Sequence, residues 1–355
     1  VNEMSCRGFM PSFEKRGGRC FAIGFLLIGL GLAPASPSPF GGRSGGREGG
    51  VQESTPRDFG ERSAQKPKRA TAEEPDEQVH LNARLVNVFF TATDRRRAIV
   101  TDLRREEVRV FEDGREQEIF TFVRQTDLPL TIALLIDVSA SQQYTLPEEK
   151  AAAARFIRSI VRPGRDVVAI VAFRDEVRII EDFTSTISRL EVALNRVRYV
   201  PPTGRDPRFG GTSLYDSIVL VARELLAEQP GRRTILLLTD GEDTTSLYRL
   251  HDAIAEALRV EATIYAIGIG DRYRFGINSG VLRRLTQETG GRAYFPKNAR
   301  DLTRAFREIE TELRSQYLVA YYPSDPTPNG RFRQIEIRVP TRKGLHIRHR
   351  RGYIL

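Results

Sequence analysis

The chain has two cysteines in 355 residues, Cys6 and Cys20, and none after them. From Phe21 onward a disulfide framework, a thiolate zinc ribbon and thiol catalysis are therefore excluded. Histidine is nearly as scarce, with His80, His251, His346 and His349. His346 and His349 are three apart in a strand-like stretch, so they point to opposite faces and make a poor metal pair. All four read as surface side chains. No G-x-S-x-G elbow is present for a serine nucleophile. No G-x-G-x-x-G follows an early strand, and Gly268-x-Gly270 comes too late for a dinucleotide loop. The apolar run Phe21–Leu32 is short for a membrane span. The net charge of +9, from 55 basic and 46 acidic residues, is dispersed as a mixed surface. There is no basic helix with aromatic stacking partners, so no nucleic acid partner is expected.

What is present begins with a leader pattern. Lys15, Arg16 and Arg19 precede the apolar run, and Ala33-Pro34-Ala35 follows it. A basic flank, a short apolar core and an A-x-A site predict a secretory signal peptide over residues 1–35. The product is then exported, to the periplasm, the cell surface or the medium. The alternative is an uncleaved anchor, which would be the one membrane contact. Met4 and Met10 are both candidate starts. Cys20 lies before the apolar run, whereas a lipid-attachment cysteine would follow it. Residues 36–77 are rich in Pro, Gly, Ser, Arg and Glu, without apolar periodicity, and predict a disordered linker.

Strand and helix patterns begin near residue 78. Residues 78–127 read as a β-rich flank. His80–Thr91 alternates, Ala98–Thr101 is a short strand candidate, and Asp102–Val108 a helical turn. A hairpin is predicted with arms Val108–Glu112 and Glu118–Val123 about the turn pair Asp113-Gly114. From 128 to 315, apolar strands alternate with amphipathic helices, which predicts an α/β fold with a doubly wound, mostly parallel sheet. In its first helix, Thr145 and Glu148 fit a capping box, and Ala153, Phe156, Ile157, Ile160 and Val161 form one buried stripe. Ser213 reads as the cap of a helix with Leu214, Ile218, Val221 and Leu225 inward. Leu247, Leu250, Ile254 and Leu258 mark another helix. Residues 316–355 return to strands, and the two β-rich flanks are expected to pair into one small unit that packs on the α/β domain.

The chemistry gathers at the carboxyl ends of two strands. Leu130–Ile136 is almost wholly apolar and suits a strand buried on both faces. It ends in Asp137, Ser139 and Ser141 at alternate positions. Thr234–Thr239 repeats the theme and ends in Asp240-Gly241. Gly210-Gly211-Thr212-Ser213 opens a helix and offers another hydroxyl. Open α/β sheets bind ligands outside the carboxyl ends of their strands. Hard oxygen donors there suit Mg²⁺ or Mn²⁺. Glu242 and Asp243 read as turn residues. Arg205 and Arg208, in the loop before Thr212, form a candidate cationic rim for an acidic partner.

These residues resemble the von Willebrand factor type A (VWA) domain. Its metal-ion-dependent adhesion site reads D-x-S-x-S, then a loop Thr, then a strand-end Asp. Asp137, Ser139, Ser141, Thr212 and Asp240 match all five positions. The layout from Val79 to Tyr353 is similar to a bacterial group called VWFA-related, Acidobacterial-type. Glu112-Asp113-Gly114, Gln316–Tyr322 and Gly352-Tyr353 carry that likeness. The resemblance implies that the three hydroxyls bind the cation and that the two Asp act directly or through water. A protein ligand's carboxylate would complete the coordination. It implies a binding module rather than an enzyme. The competing class is a metal-dependent, phosphohydrolase-like hydrolase with Asp137 as nucleophile. Such enzymes resemble D-x-D at the first strand, and Ser139 stands where that second acid is needed.

Overall fold

A computed structural model describes residues 85–125, 128–199, 211–270 and 276–354. The leader, the linker, His80, Arg205 and Arg208 lie outside the described residues.

Fourteen strands and six α-helices follow in order among the described residues. The α/β part opens with β5 (Leu130–Asp137), in which all eight residues are buried. Helix α1 (Leu146–Ile160) leads to β6 (Val167–Phe173), and β7 (Val177–Thr184) turns back antiparallel along it. Helices α2 (Ile187–Arg196) and α3 (Leu214–Leu220) precede β8 (Arg232–Thr239). Then come α4 (Leu250–Arg259), β9 (Thr263–Gly268), α5 (Ser279–Thr289), β10 (Ala293–Tyr294) and α6 (Ala299–Arg314). The sheet order is β10-β9-β8-β5-β6-β7. Strand β5 pairs in parallel with β6 on one side and β8 on the other. The chain therefore reverses its direction of winding at β5, and the crevice of the sheet opens there.

Alternate residues of β5 feed two cores. Ile132, Leu134 and Ile136 pack with Phe156, Ile157, Leu190 and Phe306 from α1, α2 and α6. Ala133 and Leu135 pack with Leu214, Ile218, Ile254 and Leu285 from α3, α4 and α5. Each large aliphatic side chain so buried contributes ~1.5–3 kcal/mol. The start of β5 is fixed by Asp166, whose Oδ1 accepts the Leu130 N–H at 2.9 Å while Arg162 and Arg314 hold the same carboxylate.

The flanks interleave. The N-terminal flank gives β1 (Val86–Thr93), β2 (Arg109–Glu112), β3 (Arg115–Gln117) and β4 (Ile119–Gln125). The C-terminal flank gives β11 (Gln316–Tyr321), β12 (Phe332–Arg338), β13 (His346–His349) and β14 (Gly352–Ile354). They form two antiparallel sheets, β13-β1-β11-β4 and β14-β12-β2-β3, around one apolar core that includes Val88, Phe90, Tyr317 and Ile335. Arg350 and Arg351 join this unit to the α/β part, through Glu261 and the Glu288 carbonyl.

Several local expectations are corrected. Asp113 and Gly114 do make a hairpin turn, with φ of 48° and 79°. Its second arm is Arg115–Gln117, however, and Ile119–Gln125 crosses to the other sheet to pair with β11. Ala98–Thr101 contributes only one bridge, Thr93 to Ile99. Thr145 is the N-cap of α1 but makes no capping bond, because its hydroxyl donates to Gln142 Oε1 at 3.1 Å. Ser213 likewise precedes α3 without capping it and pairs with the Thr245 hydroxyl at 2.8 Å. Residues Val221–Leu226 form a π-helical turn, which advances the phase and buries Leu226 fully, while Leu225 packs partly buried against the same core. Leu247 precedes α4 and is 92% exposed. His349 is half-buried and bonded rather than a free surface residue. Its Nε2 accepts the Ile337 N–H at 3.2 Å, its Nδ1 faces the Arg350 carbonyl at 2.7 Å, and burial lowers its pKa. It is a neutral tie between β12 and β13.

Glu112 is the polar centre of the flank unit. It accepts the Tyr321 hydroxyl at 2.7 Å, the Tyr353 hydroxyl at 2.8 Å and Arg333 Nη1 at 3.1 Å. One carboxylate of the N-terminal flank thus holds three strands of the C-terminal flank. Arg333→Met leaves a buried charge without its cation and is expected to cost ~3 kcal/mol in urea denaturation. Tyr353→Phe removes one donor and should cost about 1 kcal/mol.

Candidate metal centre

Asp137 ends the central strand and is fully buried. Its Oδ1 accepts the Ser139 N–H at 2.9 Å, and its Oδ2 accepts the Thr239 hydroxyl at 2.7 Å. The chain turns at once, so the next polar side chains come back over the strand end. The Ser139 and Ser141 hydroxyls lie 3.1 Å apart. Ser141 accepts Gln142 Nε2 at 3.1 Å, and its hydroxyl neighbours the Asp240 carboxylate. Gln142 also donates to the Ile269 carbonyl at 3.0 Å. Asp240 follows β8 directly, and its Oδ1 accepts the Glu242 N–H at 3.0 Å. These bonds join the ends of β5, β8 and β9.

Two close approaches complete the frame. A Cβ at Gly270 would come within 2.9 Å of the Asp240 Cβ, so a glycine there lets the β9 loop close over Asp240. Thr212 is buried, and its loop is clasped by the turn after Asp240. Its N–H donates to the Thr244 hydroxyl and its carbonyl accepts the Thr244 N–H, both at 2.8 Å. The structure thus gathers Asp137, Ser139, Ser141 and Asp240 at one crevice. Thr212 sits on the adjoining loop, and its hydroxyl enters none of these bonds. Asp243 accepts the Ser246 hydroxyl at 2.5 Å and the Tyr215 N–H at 3.2 Å, as a turn residue does.

The donor set fits a hard divalent cation. Among the described residues no group of three or more His, Cys, Asp or Glu is placed to hold a metal ion. Two carboxylates and neighbouring hydroxyls are what the site offers, and hard cations accept such oxygens. Burial pushes Asp137 up to about 7, and the nearby Asp240 adds to it. Burial also raises Asp240. A third carboxylate, Glu149 on α1, was not singled out from the sequence. It is fully buried, neither oxygen has a hydrogen-bond partner among the described residues, and the adjacent Thr145 hydroxyl is taken up by Gln142. Burial pushes Glu149 up to about 8, with Asp137 and Asp240 contributing. Its signal was available, since residue 149 falls four before Ala153 and seven before Phe156 on the apolar stripe. Thr239 and Gln142 were missed too, because one reads as strand and the other as loop.

These shifts set a pH dependence. A carboxyl whose folded pKa exceeds its unfolded value binds more protons folded than unfolded, so stability falls as pH rises between the two. For Asp137 that window runs from about 4 to about 7. Metal-free protein is therefore expected to lose on the order of 4 kcal/mol across it, with Glu149 extending the loss toward pH 8. Thermal melts in EDTA would follow this, and Asp137→Asn should flatten the slope.

Residues 131–308, half of the chain, match the model of the von Willebrand factor type A domain. A search of curated proteins gives no match. Among solved structures, a von Willebrand factor type A protein from Catenulispora acidiphila is 13% identical with a TM-score of 0.45, over 77% of this chain and 75% of that one. Proximal thread matrix protein 1 from the mussel byssus, "with zinc occupied MIDAS motif", is 18% identical with a TM-score of 0.45, over 57% of this chain and 49% of that one. BatB from Bacteroides thetaiotaomicron is 18% identical with a TM-score of 0.41, over 52% of this chain and 100% of that one. The assignment rests on the match over 131–308. The chain belongs to the von Willebrand factor type A domain family.

Proposed function

We propose that this is an exported, non-enzymatic VWA protein that binds a protein partner through a divalent cation. Asp137, Ser139, Ser141, Thr212 and Asp240 would hold Mg²⁺ or Mn²⁺, directly or through water. The observation that carries the reading is the cluster at the β5–β8 crevice, where two buried carboxylates with raised pKa values meet two hydroxyls. A bound cation supplies an electrophilic site for a partner's carboxylate, because few protein carboxylates neutralise it. The protein's own residues set the geometry: Thr239 and the Ser139 N–H orient Asp137, and Gln142 orients Ser141. Among the described residues no helix is long and apolar enough to cross a membrane. Export rests on the leader pattern, and N-terminal sequencing should find the mature chain starting at or near Ser36.

Calorimetry should detect Mg²⁺ or Mn²⁺ binding, with Zn²⁺ as a third arm of the titration. Asp137→Ala and Asp240→Ala should each abolish it, because each removes an anionic oxygen. Thr212→Ala should weaken it by only about tenfold, because water can replace a neutral hydroxyl. Circular dichroism should stay near wild type, since these side chains sit at the rim of the sheet. A partner captured from envelope material should be lost both with EDTA and in Asp137→Ala. Unchanged Mg²⁺ affinity in Asp137→Ala would sink the proposal. The hydrolase alternative requires turnover of phosphate esters that disappears in Asp137→Asn, and no turnover is expected.

A further inference from the structure

A cleft of about 920 Å³ opens between β10, α5, β13 and the turn after β1. Five arginines line it: Arg95, Arg97, Arg283, Arg292 and Arg348, with His346 beside them and no carboxylate in the wall. Beneath it, Glu312 pairs with Arg292 and Arg348, and Glu308 lies 3.6 Å from Arg292. Two carboxylates against five guanidinium groups leave about three positive charges facing one cavity. Arg95, Arg97 and Arg283 are exposed, and none has an ion-pair partner among the described residues.

The arginines are placed, not merely present. The turn after β1 is closed by Asp94, whose Oδ1 accepts the N–H groups of Arg96 and Ala98, both at 2.8 Å. Inside that turn Arg97 takes φ of 65°, a conformation that costs a non-glycine residue free energy. Arg95 lies against Gly344, where a Cβ would come within 2.5 Å of its Nε. The Arg283 guanidinium lies over the Phe295 ring at 5.3 Å and that of Arg292 over Tyr294 at 4.7 Å, contacts that favour these positions. Guanidinium forks bind oxyanions in bidentate fashion.

We propose that this cleft binds a compact ligand carrying two or more phosphate groups. Its volume is that of a small-ligand site. A phosphate monoester carries about −1.5 to −2 charges near neutral pH and a phosphodiester about −1, so two phosphates bring about −2 to −4 against the local excess, while a lone carboxylate would neutralise one arginine. The phosphates can come from a free oligophosphate or from a lipid headgroup, and the two sources are separable.

The test uses the full chain. Tripolyphosphate is titrated in solution, and co-sedimentation is measured with phosphatidylcholine vesicles with and without cardiolipin. One variant is Arg97→Ala/Arg283→Ala. A control, Arg178→Ala/Arg331→Ala, removes the same charge outside the cleft. Saturable binding that weakens about tenfold or more in the cleft variant, and stays near wild type in the control, is expected in at least one arm. Tripolyphosphate binding assigns a free ligand, and binding to cardiolipin vesicles alone assigns a headgroup. Mg²⁺ affinity at the Asp137 cluster and the melting temperature should be unchanged in both variants. Absence of binding in both arms, or equal loss in cleft and control variants, overturns the proposal.

Discussion

A strand covered by helices on both faces can meet solvent only at its ends. Strand β5 is in that position, with neighbours on both edges as well, and the rest of the α/β part arranges itself around it. Ile132, Leu134 and Ile136 require apolar partners from one set of helices, Ala133 and Leu135 from the other. At the carboxyl end the apolar demand stops abruptly and a carboxylate appears. Asp137 has no bulk water to solvate it, so it must take its donors from β8 and from its own turn. The raised pKa follows from the same confinement. A charge is disfavoured there until something cationic shares the space.

This explains why the site was legible in the sequence. Buried parallel strands are nearly pure apolar runs, so a polar residue ending one stands out, and Asp137 and Asp240 both do. The hydroxyls at 139 and 141 are within the same short turn. Thr212 is further off in sequence, and the family pattern supplied it. The Asp-Gly turn was legible because its backbone requirement is local. What failed was non-local. Nothing within Ile119–Gln125 says that it pairs with β11 instead of closing a hairpin, since an alternating strand fits either neighbour. The role of His349 depends on Ile337, a partner on another strand. The π-helical turn depends on packing that a regular 3.6-residue count does not contain. Glu149 is a different case, because its place on the stripe was visible while its consequence depended on what lay opposite.

The two halves of the molecule are held in contrasting ways. The α/β part has cores made mostly of aliphatic side chains, with its carboxylate–hydroxyl cluster at the strand ends. The flank unit has a small apolar core and builds its centre on a shared carboxylate, Glu112, with two phenols and a guanidinium around it. A small unit buries less apolar surface per residue, and a satisfied buried network specifies one pairing among several that sheets of this size allow.

The interleaving of the flanks also imposes an order of events. Strands β1 and β4 never touch one another along an edge, because β11 lies between them. As the chain emerges from its N-terminal end, the first strands have open edges and must wait for the whole α/β part before Gln316–Tyr321 arrives. The α/β part can condense in that interval from contacts within itself. Once it has condensed, Leu130 and Arg314 are both tied to Asp166, so the ends from which β4 and β11 emerge are already close and most of the entropy of closing that connection has been met. Folding of this protein is expected to finish with the joining of its two flanks.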